Sequence, residues 1–261
     1  MNLSRPFPGN KRFEVLSVLG RGGMGVVYEV LDHERQAKVA IKTLNEGSPR
    51  ELLRLKSEFR ALQELEHPNL IQLGELFEDE GTWFFTMELI AGVDFITHVR
   101  RRDQDALFHE QRLRRSLIQL VEALAYLHAS GRVHRDIKPE NVLVESTGRV
   151  VLLDFGLVTR TDPGQQSGEG FYPVGTASFM APEQAASHQV GPEADWYAVG
   201  VMLFEALTGT HPFTGTFSQL LIAKFAGVAP RVRELRPEVP ADLDQLCASL
   251  LEHDPGRRPG A

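Results

Sequence analysis

Residues 134–141 read His-Arg-Asp-Ile-Lys-Pro-Glu-Asn, and this stretch decides how the rest of the chain is interpreted. It follows a long amphipathic segment and precedes the short apolar run Val142–Val144. A surface loop can be this polar by chance, but such a loop needs no fixed pattern. The stretch is therefore the most specific indication of a chemical site in the chain.

A second polar motif follows the next apolar run. Asp154-Phe155-Gly156 comes directly after Val150–Leu153, so a carboxylate stands at the end of a predicted strand beside a flexible glycine. As a lone tripeptide this motif more often forms a simple turn.

A glycine-rich run, Gly20-Arg21-Gly22-Gly23-Met24-Gly25, lies between two β-favouring stretches near the N-terminus. Glycines let backbone N–H groups approach phosphate oxygens without obstruction by a Cβ atom. Taken alone, the run is equally typical of a hairpin turn. A dinucleotide-binding fold needs a helix directly after the third glycine, whereas Val26-Val27-Tyr28 begins a strand, which argues against NAD.

The run Val39-Ala40-Ile41-Lys42 places a lysine inside an apolar strand. A solvated lysine at a sheet edge is one interpretation. If the ammonium is buried, it requires an anionic partner, either Glu58 on the following helix or the phosphates of a substrate.

Hydrophobic periodicity divides the chain into a strand-rich first third and a helical remainder. The predicted strands of the first part are 13–19, 26–31, 39–44, 70–76 and 83–89. Between them, Ser48-Pro49 followed by Glu51 predicts the start of a helix. In the second part a leucine stripe predicts a helix that ends at Gly131, and Glu193–Leu207 is apolar on nearly every side, which predicts a buried helix.

Composition narrows the class of protein. The 261 residues include 28 Lys plus Arg against 35 Asp plus Glu, a formal net charge of −7, whereas a dedicated nucleic-acid binder needs a basic face. The hydrophobic share of 42% excludes a disordered chain. Cys247 is the single cysteine, so we expect no intrachain disulfide, no cysteine metal cluster and a cytoplasmic location. We also expect neither a signal peptide nor a membrane segment.

Together these motifs resemble the catalytic domain of eukaryotic-type protein serine/threonine kinases, most closely the bacterial members. The glycine run, Val-Ala-Ile-Lys, a helical glutamate, His-Arg-Asp, Asp-Phe-Gly and Ala181-Pro182-Glu183 occur in the family's order. The resemblance implies an α+β, two-lobed protein kinase fold. It implies an N-terminal lead over 1–12 and a kinase domain over 13–261, with a small antiparallel-sheet lobe over about 13–89 and a mainly helical lobe over about 90–261.

The resemblance also implies a mechanism. Asp136 would accept or orient the proton of the acceptor hydroxyl, and Lys138 would stabilise the transferring phosphate. Lys42, paired with Glu58, would hold the α- and β-phosphates of ATP. Asn141 and Asp154 would hold Mg²⁺, with Mn²⁺ as the alternative.

The ATP site implied by the resemblance combines the glycine run with an apolar slot for adenine. Its residues are Leu19, Gly20, Arg21, Gly22, Gly23, Met24, Gly25, Val27, Ala40, Lys42, Met87, Glu88, Ile90, Asp94, Glu140, Asn141, Leu143 and Asp154. Glu88 and Ile90 would offer backbone hydrogen bonds to adenine, and Asp94 would reach the ribose. Each apolar member is also an ordinary core residue, so these assignments depend on the resemblance alone.

Two details favour serine or threonine hydroxyls of proteins as acceptors. Lys138 stands two residues after Asp136, and Gly175-Thr176 precedes Ala181-Pro182-Glu183, as in serine/threonine kinases. The family pattern further implies that Asp195 anchors the region of His134, and that Glu183 pairs with Arg258. The implied partners are protein substrates, which include the kinase itself, and regulatory domains beyond residue 261.

Two other functions remain open at this stage. A pseudokinase that acts as a nucleotide-gated interaction module usually lacks one of Lys42, Asp136, Asn141 and Asp154, and all four are present. A small-molecule kinase of related fold lacks the Ala-Pro-Glu segment, which this chain has.

The chain departs from the family at two places. A kinase domain continues for one more helix, so we expect Leu246, Leu250 and Leu251 to expose an apolar stripe. Within the activation segment, residues 168–174 contain no Ser or Thr; Ser167 lies just outside this window, and Tyr172 within it would be an unusual target for a Ser/Thr enzyme. We expect Arg135 to need an anion, supplied by Glu169 without phosphorylation; a solvated loop is the alternative.

Overall fold

The computed structural model describes residues 7–22, 25–44, 56, 59–60, 62–100, 108–153, 174–186, 190–226 and 228–260. The chain divides into two compact units, Met1–Ala91 and Gly92–Ala261. Within the described ranges, no helix is both long enough and apolar enough to span a bilayer.

The first unit is built on one antiparallel sheet of five strands in the order β1-β2-β3-β5-β4. The strands are β1 (Phe13–Gly22), β2 (Gly25–Asp32), β3 (Ala37–Thr43), β4 (Leu73–Asp79) and β5 (Thr82–Met87). Gly25 enters β2 with φ +148°, and a Cβ there would lie 1.8 Å from the carbonyl oxygen of Thr43. Only glycine fits this hairpin.

The sheet has two chemically different faces, because strand residues alternate sides. One face carries the buried cluster of Phe7, Phe13, Val26, Tyr28, Val30, Ile41 and Phe84. Lys42 lies on the opposite face, where it pairs in register with Val27 and Phe85, and Ala40 pairs with Met87. The alternation of β3 therefore places Ala40 and Lys42 on the face opposite the aromatic cluster.

One sequence prediction for this unit, the start of β4, needs adjustment, and another, the start of the helix, lies outside the described residues. Strand β4 begins at Leu73 rather than Leu70, because Leu70 and Ile71 are buried in the turn that precedes it. An apolar run in the sequence indicates which residues are buried, but it does not indicate which of them form the hydrogen bonds of a strand. Residues 56, 59–60 and 62–63 are helical as expected, whereas the capping residues 48–51 lie outside the described residues.

Phe7 is part of the core of this unit, although the sequence assigned it to an N-terminal lead. Its ring is 6% exposed and lies 4.8 Å from the ring of Phe84, centroid to centroid. Its backbone N–H donates to the Tyr28 hydroxyl over 3.1 Å. Phe7, although it belongs to the lead, is therefore part of the aromatic cluster.

The second unit combines a small sheet with helices. The sheet contains β6 (Gly92–Asp94), β7 (Val142–Glu145) and β8 (Val150–Leu152). The helices are α1 (Phe95–Val99), α2 (Glu110–Ala129), α3 (Val174–Phe179), α4 (Pro182–Ala186), α5 (Glu193–Thr208), α6 (Phe217–Ala226), α7 (Val232–Leu235) and α8 (Ala241–Leu250). Helix α2 ends next to Gly131, as predicted.

Helix α5 forms the centre of this unit and is buried along nearly its whole length, as its all-round apolar sequence predicts. It packs against α8, and a Cβ at Gly200 would lie only 2.8 Å from that of Leu250. This contact corrects one expectation. Leu250 and Leu251 are 5% and 6% exposed because they cover α5, and of the predicted exposed stripe only Leu246, at 38%, is open to solvent.

We expect Phe7→Ala to lower the melting temperature by roughly 6–10 °C, because removing a buried aromatic side chain costs about 3 kcal/mol. Thermal unfolding followed by circular dichroism measures the effect. Leu16→Ala, at a β1 position that is 42% exposed, is the matched control and should change little. Equal melting temperatures for Phe7→Ala and the wild type would show that the lead contributes nothing to the core.

Candidate active site

The loop that follows α2 gathers three of the predicted site residues around one carboxylate. Oδ2 of Asp136 accepts hydrogen bonds from Nζ of Lys138 at 2.8 Å and from Nδ2 of Asn141 at 2.9 Å. The same Nδ2 also donates to the backbone carbonyl of Asp136 at 2.7 Å. The carboxylate is only 25% exposed, so its position is set by these donors rather than by solvent.

This loop is hydrogen-bonded to α5 through Asp195. Asp195 is 1% exposed, and its carboxylate accepts the backbone N–H groups of His134 at 2.8 Å and Arg135 at 2.7 Å. Nε2 of His128 lies 2.8 Å from the same carboxylate. A buried carboxylate needs several donors, so the loop and the helix stabilise each other. Asp195 thus anchors the region of His134, as the family pattern implies, by accepting the His134 N–H.

His134 connects the loop to the end of β8. Its Nε2 lies 2.7 Å from the carbonyl oxygen of Leu153, and its Nδ1 accepts the backbone N–H of Asp136 at 3.3 Å. These partners assign the ring hydrogen to Nε2. Leu153 also donates its N–H to the carbonyl of Asn141 at 2.8 Å. The residue directly before Asp154 is therefore fixed against the Asp136 loop.

Four predicted site residues lie outside the described residues, namely Gly23, Met24, Glu58 and Asp154. The Lys42–Glu58 pair, Ser167, Glu169 and Tyr172 are therefore not described either. Val174–Thr176 is described as backbone only.

The remaining predicted ATP residues of the first unit belong to its sheet or follow it. Leu19, Gly20, Arg21 and Gly22 are on β1, Gly25 and Val27 on β2, Ala40 and Lys42 on β3, and Met87 ends β5, with Glu88 and Ile90 after it. Leu19 is half exposed, whereas Lys42 is buried at 6% exposure inside a central strand, which excludes the solvated-edge interpretation. The N–H of Glu88 donates to the carbonyl of Gln72, which restricts the Glu88 backbone to an acceptor role.

The predicted ATP residues of the second unit lie around the small sheet. Asp94 and Leu143 are register partners on β6 and β7, and Glu140 is exposed in the 3₁₀ turn that contains Asn141. The Asp94 carboxylate also caps α1, where it accepts the N–H of Thr97 at 2.8 Å and its hydroxyl at 2.6 Å. Asp94 therefore has a structural role that sequence reasoning did not foresee.

Gln184 is a site residue that sequence reasoning missed. Its Oε1 accepts the N–H of Ala181 at 2.8 Å, and its Nε2 donates to the carbonyl of Arg135 at 3.1 Å. It therefore ties the Ala181-Pro182-Glu183 motif to the peptide group before Asp136. Its place directly after the motif was the only signal in the sequence.

Glu183 and Arg258 form the expected ion pair. Nη1 and Nη2 of Arg258 bind the two carboxylate oxygens of Glu183 at 2.5 and 2.9 Å, and the arginine side chain is fully buried. The guanidinium also lies 4.9 Å from the centroid of the Tyr197 ring. Burial raises the pKa of Tyr197, so this ring stays a neutral phenol between its charged neighbours.

Arg135, for which an anion is the expected partner, makes a contact with the chain before α5. Its Nη2 donates to the backbone carbonyl of Val190 at 3.3 Å. Because residues 168–173 lie outside the described part of the chain, the role expected of Glu169 stays a prediction.

The described residues contain no group of three or more His, Cys, Asp or Glu side chains that could hold a metal ion. Asn141 nevertheless suits a hard cation. Its Nδ2 is turned to Asp136, and among the described residues none donates to its Oδ1, an oxygen ligand of the type that Mg²⁺ prefers. Asp154, the second expected ligand, directly follows Leu153, whose backbone is hydrogen-bonded to His134 and Asn141.

Comparison with known sequences identifies one family. The sequence model described as protein kinase domain matches residues 13–261. Serine/threonine-protein kinase PknA of Mycobacterium tuberculosis is 32% identical over 249 residues, which cover 92% of this chain and 56% of PknA. PknE of Mycobacterium bovis is 33% identical over 249 residues, covering 94% of this chain and 43% of PknE. The chain thus spans about half the length of these two relatives.

Solved structures agree with the sequence relatives. The kinase domain of Mycobacterium tuberculosis PknI matches with a TM-score of 0.71 and 26% identity, over 96% of this chain and 91% of that one. The twitchin kinase region from C. elegans matches with a TM-score of 0.79 and 26% identity, over 95% of this chain and 44% of that one. These matches confirm the predicted α+β protein kinase fold.

We expect Arg258→Met to destabilise the protein by about 3–5 kcal/mol, because the substitution leaves the Glu183 carboxylate without its guanidinium. Chemical denaturation monitored by fluorescence measures the loss. Arg257→Met is the control, since that neighbouring side chain is 74% exposed and should be nearly neutral. Equal stability of the two variants would contradict a structural role for the pair.

Proposed function

Because the chain belongs to the protein kinase domain family, we propose that it is an ATP-dependent protein serine/threonine kinase that transfers the γ-phosphate of ATP to hydroxyl groups of proteins, itself included. The observation that carries the proposal is the cluster of Asp136, Lys138 and Asn141 around one carboxylate oxygen. The names of the sequence relatives support the same reaction.

In this reaction the acceptor hydroxyl oxygen forms a bond to the γ-phosphorus. The bond between the γ-phosphorus and the β,γ-bridging oxygen breaks, and ADP leaves with that electron pair. Asp136 orients the hydroxyl and receives its proton. Oδ2 of Asp136 is occupied by Lys138 and Asn141, and no described residue donates to Oδ1, so Oδ1 is the atom that faces the hydroxyl.

Lys138 has two tasks in this arrangement. Its ammonium holds Oδ2 of Asp136 over 2.8 Å, and the same cation can neutralise charge on the transferring phosphate. The lysine two residues after Asp136 supports serine or threonine as the acceptor class. Glu140 projects outward from the adjacent 3₁₀ turn and is available to a basic residue of a substrate.

Family membership implies ATP and a divalent metal ion as cofactors. We assign the metal as Mg²⁺, with Mn²⁺ as the alternative, and its ligands as Asn141 and Asp154. A bound Mg²⁺ neutralises charge on the phosphate oxygens. The hydrogen bonds from Nδ2 to Asp136 hold the Asn141 amide in the orientation that this role requires.

We assign nucleotide-binding residues in each unit separately. In the first unit, Lys42 holds the α- and β-phosphates with Glu58 as its partner, while Val27, Ala40 and Met87 contact adenine from the same face of the sheet. The glycine run covers the phosphates, Leu19 adds apolar contact, and Glu88 and Ile90 bind adenine through their backbones. In the second unit, Leu143 contacts adenine and Asp94 the ribose.

Two alternatives are less well supported. A pseudokinase would lack one of the four charged or amide groups, and of these Lys42, Asp136 and Asn141 are buried or held in hydrogen bonds that suit catalysis. A small-molecule kinase would lack the Ala-Pro-Glu segment, which is bound here through Gln184 and Arg258.

The kinase domain covers 13–261 in this proposal, and the burial of Phe7 favours counting residues 7–12 as part of its fold. A single buried cysteine supports a cytoplasmic location. Regulatory domains beyond residue 261 are consistent with the greater length of PknA and PknE.

We expect Asp136→Asn to lower the rate of phosphoryl transfer by about 10²–10⁴-fold, because the amide cannot accept the proton. Nucleotide affinity should stay unchanged, since Asp136 does not hold ATP. Transfer of labelled phosphate to myelin basic protein and fluorescence titration with ATP measure the two quantities. Asp254→Asn, at a position 62% exposed, is the control. Full activity of Asp136→Asn would refute the assignment.

Metal removal provides a second test. Protein treated with EDTA should transfer no phosphate, because the charge on the phosphate oxygens is no longer neutralised. Added Mg²⁺ should restore transfer more fully than Mn²⁺ does, and Ca²⁺ serves as the control ion. Transfer that continues undiminished in EDTA would contradict the metal assignment.

A further inference from the structure

Lys224 on α6 is a buried cation with no task in the mechanism above. Its side chain is 2% exposed, and its Nζ donates to the carbonyl oxygens of Ala177, Ser178 and Met180 at 2.8, 2.7 and 2.7 Å. An ammonium group has three hydrogens, so each carbonyl receives one.

Two opposing effects act on the charge of Lys224, namely burial and the hydrogen bonds to the three carbonyls. Burial lowers the pKa of Lys224 to about 7, and among the described residues no carboxylate pairs with it. The three carbonyls favour the ammonium form, because a neutral amine would leave one of them without a donor. The Tyr197 ring, whose centroid lies 5.5 Å from Nζ, adds a cation–π contact.

The three carbonyls lie at the end of α3 and just after it. Ala177 and Ser178 are in its last turn, where a cation is favourable because the helix dipole is negative at its C-terminus. An apolar side chain of the same length would fill this space equally well. Only a group with several donors fixes the orientation of the three peptide groups.

The far end of this segment is tied to the catalytic loop and the core. Gln184 bonds the carbonyl of Arg135, and Glu183 bonds Arg258. Arg258 lies over the same Tyr197 ring as Lys224. Residues 177–184 are thus fixed at one end by α6 and at the other by the loop that carries Asp136.

We propose that Lys224 is a positioning residue for the protein substrate, which it serves by holding the backbone of Ala177–Met180 in the one conformation against which the acceptor peptide docks. This inference rests on the proposed kinase function. It assigns to Lys224 an effect on substrate affinity, not on ATP binding or on the proton acceptor.

The test compares Lys224→Met and Lys224→Gln with the wild type in steady-state transfer to myelin basic protein. Lys224→Met keeps the length of the side chain but has no donor, so the KM for the protein should rise about tenfold, with the KM for ATP unchanged. Lys224→Gln retains two N–H donors and should give an intermediate KM. Lys38→Met is the control, because that lysine is 60% exposed on β3 and should leave both constants unchanged.

Other results would overturn the inference. An unchanged KM for the protein in Lys224→Met would show that the three carbonyls need no cation. A variant that no longer binds ATP, or whose two KM values rise equally, would show that Lys224 supports the whole unit rather than the docking segment. Wild-type protein that transfers no phosphate would overturn the proposed function and this inference together.

Discussion

The carboxylate of Asp195 sits inside a helix that is otherwise almost entirely apolar, and it accepts two consecutive backbone N–H groups of the loop that carries Asp136. A buried charge is costly unless it is fully hydrogen-bonded, so α5 and the loop form as one structure. Gly200 lets α8 approach α5 closely, so the helix that carries Asp195 is itself held by packing in the core. The position of the Asp136 carboxylate therefore depends on a buried contact in the core of the second unit.

The hydrogen bond from the loop to Asp195 also helps to hold Arg135 in a strained backbone conformation. Arg135 has a φ of +67°, in the left-handed region that non-glycine residues rarely adopt. Such strain persists only where surrounding contacts over-determine the backbone. Here Asp195 holds the N–H of Arg135 and Gln184 holds its carbonyl, so both sides of the strained residue are fixed. The strained residue directly precedes Asp136, whose carboxylate accepts hydrogen bonds from Lys138 and Asn141.

Sequence reasoning located this site because its members are close along the chain. Asp136, Lys138 and Asn141 lie within one short loop, and the alternation of β3 placed Lys42 among apolar neighbours. Sequence reasoning missed Gln184 and Lys224 because Gln184 binds Arg135 and Lys224 binds residues 177–180, which are more than 40 residues away along the chain. A glutamine or a helical lysine also has no pattern of its own. The exposed stripe predicted at Leu250 and Leu251 was wrong for the same reason: periodicity identifies an apolar face but not the helix that covers it.

Tyr197 shows how one residue of the core can serve two functional segments. Nζ of Lys224 and the guanidinium of Arg258 both lie over its ring, and these two cations bind opposite ends of residues 177–183. Two residues earlier on α5, Asp195 binds the loop of Asp136. Residues 177–183 and the Asp136 loop are therefore both linked to α5, the first through two cations that lie over the Tyr197 ring and the second through Asp195 directly. Because α5 is buried along nearly its whole length, the contacts that hold both segments belong to the packed core of the second unit.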